Sequence, residues 1–464
     1  MKKILSLLLC MLFGLTILLA GCGGLSNVEN DKKGIVYNGG SVALVNDYLF
    51  YANGFTKDYS SMADMNAYND AAKYSNLSRA QLSNLNATKF KSSENVETVS
   101  GGDVTGFGKT YMFAYGDNVY YVTPNTHKTN ENKQAFDYLS VFKVGFNGGN
   151  RHEIMTTKAS FNSSTGKIVA LEYKDVAYIM IYDGENLTTI DITNNDSVKV
   201  NLEDVTSVAL PQEDATWNGQ IYYTKDKENS DGMGGNEVYK IAVTGGEETK
   251  VTKDGENTKT IKFIGRIDNT SFYTISKEGE TSAHTYTIEG ESIGTEFFIT
   301  ASKEFYPKEI SNIVKVDGGT SYFNQDGYVF TSSSIVLYKN TVTGGDPVVL
   351  IDNSTYANAK VIAAVGAYVY FSTTSGIYKV LTSTKEVTTI IDGMTITTDI
   401  AGYTFNEVDG EKVSLKDIYF YAQREYDEDA EEKDNEEETT DENVYLYQVS
   451  ANGGDALLLG KTIN

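Results

Sequence analysis

The side chains able to do acid–base, nucleophilic or metal chemistry are few in this chain and do not cluster. Its 464 residues hold three histidines, His127, His152 and His284, in three different stretches at non-equivalent positions. A metal centre or a proton-transfer pair needs groups that converge, so ordinary surface or loop residues are expected here. Ser and Thr abound, yet no Gly-x-Ser-x-Gly elbow marks a nucleophile, and neither a phosphate-binding loop nor a dinucleotide fingerprint is present. The 63 Asp and Glu leave many possible carboxylate pairs of the kind that cleaves glycosides, and the sequence singles out none. No catalytic residue, no metal ligand and no cofactor is therefore expected.

Three local features invite a sharper reading. Asp226-Lys227-Glu228-Asn229-Ser230-Asp231-Gly232 faintly resembles a calcium loop, but its Gly comes one residue late, and Gly234 and Gly235 intervene before Glu237. A flexible polar hairpin loop is expected instead. Asp427 to Glu442 holds 11 acids and one Lys, whose mutual repulsion and lack of apolar residues predict a disordered loop. Weak binding of divalent cations or of a basic partner is its functional alternative. Trp217 could stack on a sugar, although packing in a core is the expected role of a lone indole.

Charge removes a whole class of function. With 39 Lys plus Arg against 63 acids, the formal charge is −24, and only four of the basic residues are Arg. A nucleic-acid partner is excluded on that balance, and guanidinium-based phosphate clamping is equally short of residues.

The first two dozen residues specify location. Lys2 and Lys3 precede an apolar run from Ile4 to Ala20, and Leu19-Ala20-Gly21-Cys22 follows directly. At 17 residues the run is near the lower limit for spanning a membrane, and the arrangement is that of a secretory signal. The tetrapeptide resembles the bacterial lipobox, which implies cleavage before Cys22 and lipidation of its sulfur. Removing residues 1–21 leaves 443 residues with a charge of −26 and takes Cys10 away, so Cys22 would be the sole thiol and disulfides would contribute nothing. Residues 22–33 read as a polar tether. Two or three acyl chains anchor stably, so the expected location is the extracytoplasmic side of a bacterial cell membrane, lipid-anchored.

What must position everything else is a repeat. A turn residue and a Tyr-rich strand lead to an apolar-Tyr-Lys-apolar strand and then to Gly-Gly. The clearest copy is Asn218 to Tyr223, Val238-Tyr239-Lys240-Ile241 and Gly245-Gly246. Others begin at Asp117, Asp326, Tyr368 and Asp417, and weaker starts lie at Asp47, Asp175 and Asn269. Alternating aromatic and β-branched residues suit a pleated sheet, and Gly-Gly suits a tight hairpin. Small antiparallel sheets must stack, and radial closure protects their edges. An all-β propeller of antiparallel blades over 34–464 follows, with seven or eight blades and eight favoured. One helix is expected, from about Ser61 to Ala72, within an insertion at about 54–76; a second insertion lies at about 422–443. The long connections between the Tyr-rich and Tyr-Lys strands should all emerge on one face.

These motifs resemble the repeat of a propeller family of unknown function common in low-GC Gram-positive bacteria, itself similar to YWTD-type receptor propellers. The resemblance implies fold and surface location, with no activity. The expected function is a non-enzymatic binding domain for a protein or a cell-envelope glycan. One alternative is an exported polysaccharide- or peptide-degrading enzyme using carboxylates at the propeller channel, and another is an envelope-assembly scaffold.

Overall fold

The computed structural model describes residues 25–54, 75–101, 111–124, 138–157, 167–211, 217–226, 235–251, 259–267, 270–277, 284–289, 321–325, 328–332, 336–341, 348–352, 355–357, 359–423 and 444–460. Among them, one 3-10 turn, Leu82–Asn84, is the only helical element, and the rest is strand and turn. The stretch expected to be helical, about 61–72, lies outside the described residues.

Strands meander into eight antiparallel sheets in chain order, spanning 42–101, 112–157, 167–202, 205–250, 259–289, 321–352, 360–392 and 396–458, numbered here one to eight. Each of the eight Tyr-rich starts falls on the second strand of its sheet, for example Asn118–Pro124, Gln220–Asp226 and Tyr368–Ser372. Apolar-Tyr-Lys segments form the third strands, as in Asn236–Ala242 and Gly376–Leu381. Each unit thus begins one strand before its aromatic signature. The signature itself is a cross-strand pair. Tyr121 lies opposite Phe142, Tyr223 opposite Tyr239, Phe371 opposite Tyr378 and Phe420 opposite Tyr447, all four stacked at centroid distances from 5.4 to 5.9 Å. Such pairs stabilise a sheet beyond their area.

First strands such as Met112–Tyr115 and Val205–Ala209 are almost wholly buried, while fourth strands such as Ser197–Leu202 and Val387–Asp392 carry mostly exposed or half-buried side chains. First strands therefore line the channel and fourth strands form the rim, which makes the fold a β-propeller. The core lies in the seams between sheets. Phe113, Tyr120 and Val141 of the second sheet meet Ile179 and Ile190 of the third, and Tyr370 and Ile377 of the seventh meet Ile418 and Phe420 of the eighth. The ring closes where Val42, Leu49 and Tyr51 of the first sheet pack on Ala401, Tyr421 and Leu459 in and beside the eighth.

Two faces follow from the antiparallel order. Connections from first to second and from third to fourth strands share one end of every sheet, the hairpin face. Backbone hydrogen bonds hold them side by side, from Phe146 N–H to Asp117 O at 3.1 Å and Val243 N–H to Gly219 O at 2.8 Å, and in the eighth sheet Ala451 N–H donates to Lys416 O, within the long second strand Glu411–Gln423, at 2.9 Å. Connections from second to third strands leave at the opposite end, the loop face. The long segments between Gly54 and Ser75, Pro124 and Leu139, Asp226 and Asn236, and Gln423 and Val444 all occupy that position. Gly-Gly marks the hairpin face for a reason beyond its positive φ. At Gly245, φ is 86° and a Cβ would come within 2.5 Å of the Lys199 carbonyl oxygen on the rim strand of the preceding sheet.

Candidate functional site

Residues 34–41 lie on the channel side of four sheets. Val36–Tyr37 pairs antiparallel with the channel-lining strand Met112–Tyr115, Val36 facing Ala114 and Tyr37 facing Phe113. Since that partner is already innermost, the added strand lies inside the channel. On one side Ile35 N–H donates to Glu172 Oε1 of the third sheet at 3.1 Å. On the other, Tyr403 N–H donates to Asn38 O at 2.7 Å, and Ser41 N–H to Ala401 O at 2.7 Å, both on the eighth sheet. Asn38 completes the junction, its Nδ2 donating to Tyr403 O at 3.1 Å and its Oδ1 accepting from Leu44 N–H at 2.7 Å. Tyr37 stacks on Tyr111 at 5.0 Å. The chain thus lines its own channel from the third sheet round to the eighth, with backbone groups satisfied by neighbours.

The preceding residues lie across the hairpin face. Composition reads 22–33 as a tether, but from Leu25 onward the segment is docked on the seam between the first and second sheets. Val28 is buried there with Leu25 beside it, against Val45, Phe50, Val144 and Phe146. Asn147 Nδ2 donates to Asn27 Oδ1 at 3.0 Å, Asn46 Nδ2 to Glu29 O at 2.7 Å, and Asn30 Nδ2 to Gly116 O at 2.8 Å. Asn46, Gly116 and Asn147 all belong to turns of that face.

Arg79 is the centre of this docking. Its side chain is fully buried, which is tolerable for a guanidinium only when its donors are matched. Nε donates to Glu97 Oε2 at 2.7 Å, Nη1 to Ser26 O at 2.8 Å and to Phe146 O at 2.9 Å, and Nη2 to Ser26 Oγ at 3.1 Å.

Register shows that Arg79 occupies the lysine position of the apolar-Tyr-Lys strand. Arg79 faces Phe50, as Lys143 faces Tyr120, Thr189 faces Met180 and Lys379 faces Tyr370. In every one of these four sheets the side chain reaches the next sheet. Lys379 Nζ donates to Ala451 O at 3.0 Å, Thr189 Oγ1 to Val243 O at 3.0 Å, and Lys143 Nζ to Asp196 Oδ2 at 3.1 Å. Phe146, Val243 and Ala451 are themselves equivalent, each following a third strand. At Arg79, Lys143 and Lys379 the repeated basic residue is thus an inter-sheet latch. At the same position of the eighth sheet stands Gln448, facing Tyr419, and its Oε1 is buried without a hydrogen-bond partner.

Electrostatics around the seams is that of packing. Burial, then the negative charge of Asp196, pushes the Tyr120 phenol well above its ordinary range. Burial likewise raises Tyr223, whose hydroxyl donates to Glu248 Oε2 at 2.6 Å. For Glu248, burial opposes ionisation, but hydrogen bonds from Tyr223 and Lys225 outweigh it and hold the carboxyl below its usual value.

The residues singled out from sequence do not converge. His152 is exposed beside Asp196, its Nε2 3.5 Å from Oδ2, and His284 begins a strand of the fifth sheet. Trp217 is buried in the seam of the third and fourth sheets, donating from Nε1 to Glu172 O at 3.1 Å and meeting Tyr173 edge-on. It is a core residue, with no face free to stack on a sugar. Asp226 ends a strand, whereas Cys22, His127, most of the calcium-like loop and the run Asp427 to Glu442 lie outside the described residues. Among the described residues no group of three His, Cys, Asp or Glu is arranged to hold a metal ion, and no helix is long and apolar enough to cross a membrane.

No protein-family model matches the chain, and no curated protein matches it by sequence. Among solved structures it is similar to the β-propeller domain of the Trilobed protease from Pyrococcus furiosus, at 13% identity over 93% of this chain and 100% of that one, with a TM-score of 0.34. It is also similar to apo AztD from Citrobacter koseri, at 13% identity over 71% of this chain and 80% of that one, TM-score 0.36. A structure of a eukaryotic initiation factor matches at 8% identity over 95% of this chain and 93% of that one, TM-score 0.41. None of these likenesses speaks to an activity. The eight sheets and their shared seams make the chain a β-propeller.

Proposed function

We propose that this chain is a lipid-anchored protein of the extracytoplasmic side of a bacterial membrane, and that its propeller is a non-enzymatic module binding a protein or a cell-envelope glycan. The anchor is Cys22, on the strength of Leu19-Ala20-Gly21-Cys22 after a charged and then apolar leader. The observation that carries the binding role is the self-lined channel. Residues 34–41 line the channel along four of the eight sheets, where catalytic groups of those sheets would otherwise converge, and Glu172, a carboxylate at that lining, already accepts the Ile35 N–H. Recognition then falls to surface connections, and long connections on a rigid scaffold are where binding residues concentrate.

Two measurements test this. Cys22→Ala should abolish acyl incorporation and move the protein from membrane to soluble fractions; an unmodified mature N-terminus in the wild type would overturn the anchor. Capture from intact cells with the anchored protein, divided between glycan and protein readouts, should yield a stable partner. Release of reducing sugar or peptide from envelope material by the purified protein would overturn the non-enzymatic role.

A further inference from the structure

The docked N-terminal segment fixes which side of the propeller meets the lipid. Resting on the proposal that Cys22 is acylated, we propose that the hairpin face, at the seam of the first and second sheets, lies against the membrane surface, and that the loop face is held outward. Leu25 is packed on that seam, and Ser26, Asn27, Glu29 and Asn30 are bonded to Arg79 and to turns of the hairpin face. Only three Cα–Cα steps separate Leu25 from Cys22, a reach of at most about 11 Å. A seven-residue strand such as Tyr48–Gly54 rises about 23 Å from one face to the other. The reach is about half that height, so the loop face cannot touch the lipid unless Leu25 to Asn30 undock.

On an anionic lipid surface, charge favours the same orientation independently. The chain between Gln423 and Val444, with the acids of Asp427 to Glu442, leaves and re-enters the eighth sheet at the loop-face end. An anionic lipid surface repels such a run within about a Debye length, roughly 8 Å at physiological salt. With the hairpin face down, the run starts a full strand length away.

Single-cysteine labelling reads this directly, because acylation leaves Cys22 no free thiol and the mature chain has no other cysteine. Asp117→Cys places a fluorophore on an exposed hairpin-face turn, and Thr374→Cys places one on an exposed loop-face turn. The full-length acylated protein is reconstituted in phosphatidylglycerol and phosphatidylcholine vesicles carrying a nitroxide headgroup quencher. Strong quenching is expected at position 117 and none at 374. Equal quenching at both sites, or stronger quenching at 374, overturns the orientation. Insertion of a twenty-residue Gly-Ser linker between Gly24 and Leu25 should equalise the two sites; a difference that persists would show that something other than the short reach sets the orientation. Failure of the wild type to acquire acyl mass or to enter vesicles would strike the anchor proposal instead, so the two failures are told apart.

Discussion

Arg79 of the first sheet donates from Nη1 to the carbonyl oxygen of Phe146 in the second, 2.9 Å away, and Lys379 of the seventh sheet does the same to Ala451 of the eighth at 3.0 Å. The two contacts are one repeat-equivalent latch, made by different residue types according to burial. Where the site is sealed and a further segment must be held, the guanidinium is used, since its donors fork in fixed directions. Where the site is half open, an ammonium suffices.

The latches should rank by burial. Arg79→Ala strands the Phe146 and Ser26 acceptors and opens a void, so a loss of about 3–5 kcal/mol is expected, as when one member of a buried charged cluster is removed. Thr189→Val leaves the Val243 carbonyl short of a donor and should cost about 1–2 kcal/mol, and Lys379→Met about 1 kcal/mol because its ammonium is partly hydrated. Urea unfolding gives the order; Arg79→Ala costing no more than Lys379→Met would refute it. Arg79→Ala should also expose residues 25–33 to proteolysis.

Glycines of one turn should not be equivalent. Gly245→Ala meets both a positive φ and the Lys199 carbonyl at 2.5 Å, whereas Gly246, at φ 120°, has no neighbour in its way. Gly246→Ala should cost about 1 kcal/mol from backbone strain alone, and Gly245→Ala clearly more, since a seam must open. Equal midpoints for the two variants would mean that the close approach is relieved at little cost.

Alkaline pH should unfold the propeller through its tyrosines. Burial raises the phenols of Tyr182, Tyr239 and Tyr421, each to about 12, and raises those of Tyr51 and Tyr419 as well. The folded state holds these protons more tightly than the unfolded chain, whose phenols titrate near about 10. Their stabilisation is therefore complete below about pH 10 and is lost as pH climbs through the folded-state values. Tyrosinate absorbance should rise in two phases, the second coinciding with loss of circular dichroism. A single phase at ordinary tyrosine pKa with the fold intact would contradict this.

Replacing Asp427 to Glu442 by a short Gly-Ser link should leave the melting temperature within a few degrees or raise it, because a run of like charge repels itself and loop closure depends weakly on length. Loss of cooperative unfolding would make the run structural. In that case added calcium should stabilise the wild type, as any ligand selective for the folded state does.

Much of the fold is written locally. A turn residue followed by Val119-Tyr120-Tyr121 or Ile221-Tyr222-Tyr223 is a short aromatic and β-branched run, buried on both faces, so second and third strands are legible without a structure. A first strand such as Val205-Thr206-Ser207-Val208-Ala209 is not, because it is a short run with no aromatic. The latches escape for another reason. Lys143 is 53 residues from Asp196 and Lys379 is 72 from Ala451, so the repeated lysine is visible while its purpose lies in the neighbouring unit. Residues 25–33 mislead because their docking is polar. Asn27, Glu29 and Asn30 read as solvent-facing, yet they complete turns, and only Val28 with Leu25 beside it supplies an apolar anchor.

The seam that closes the ring joins Tyr51 to Leu459, the phenol donating to a carbonyl 408 residues later at 3.0 Å. The side of the first sheet formed by Val42, Leu49, Tyr51 and Ala80 therefore has its partner only after the final sheet has been synthesised and folded. A chain cut short, or one still emerging, displays that apolar patch to whatever is near, and so is recognisably incomplete to chaperones and proteases until the last strands arrive.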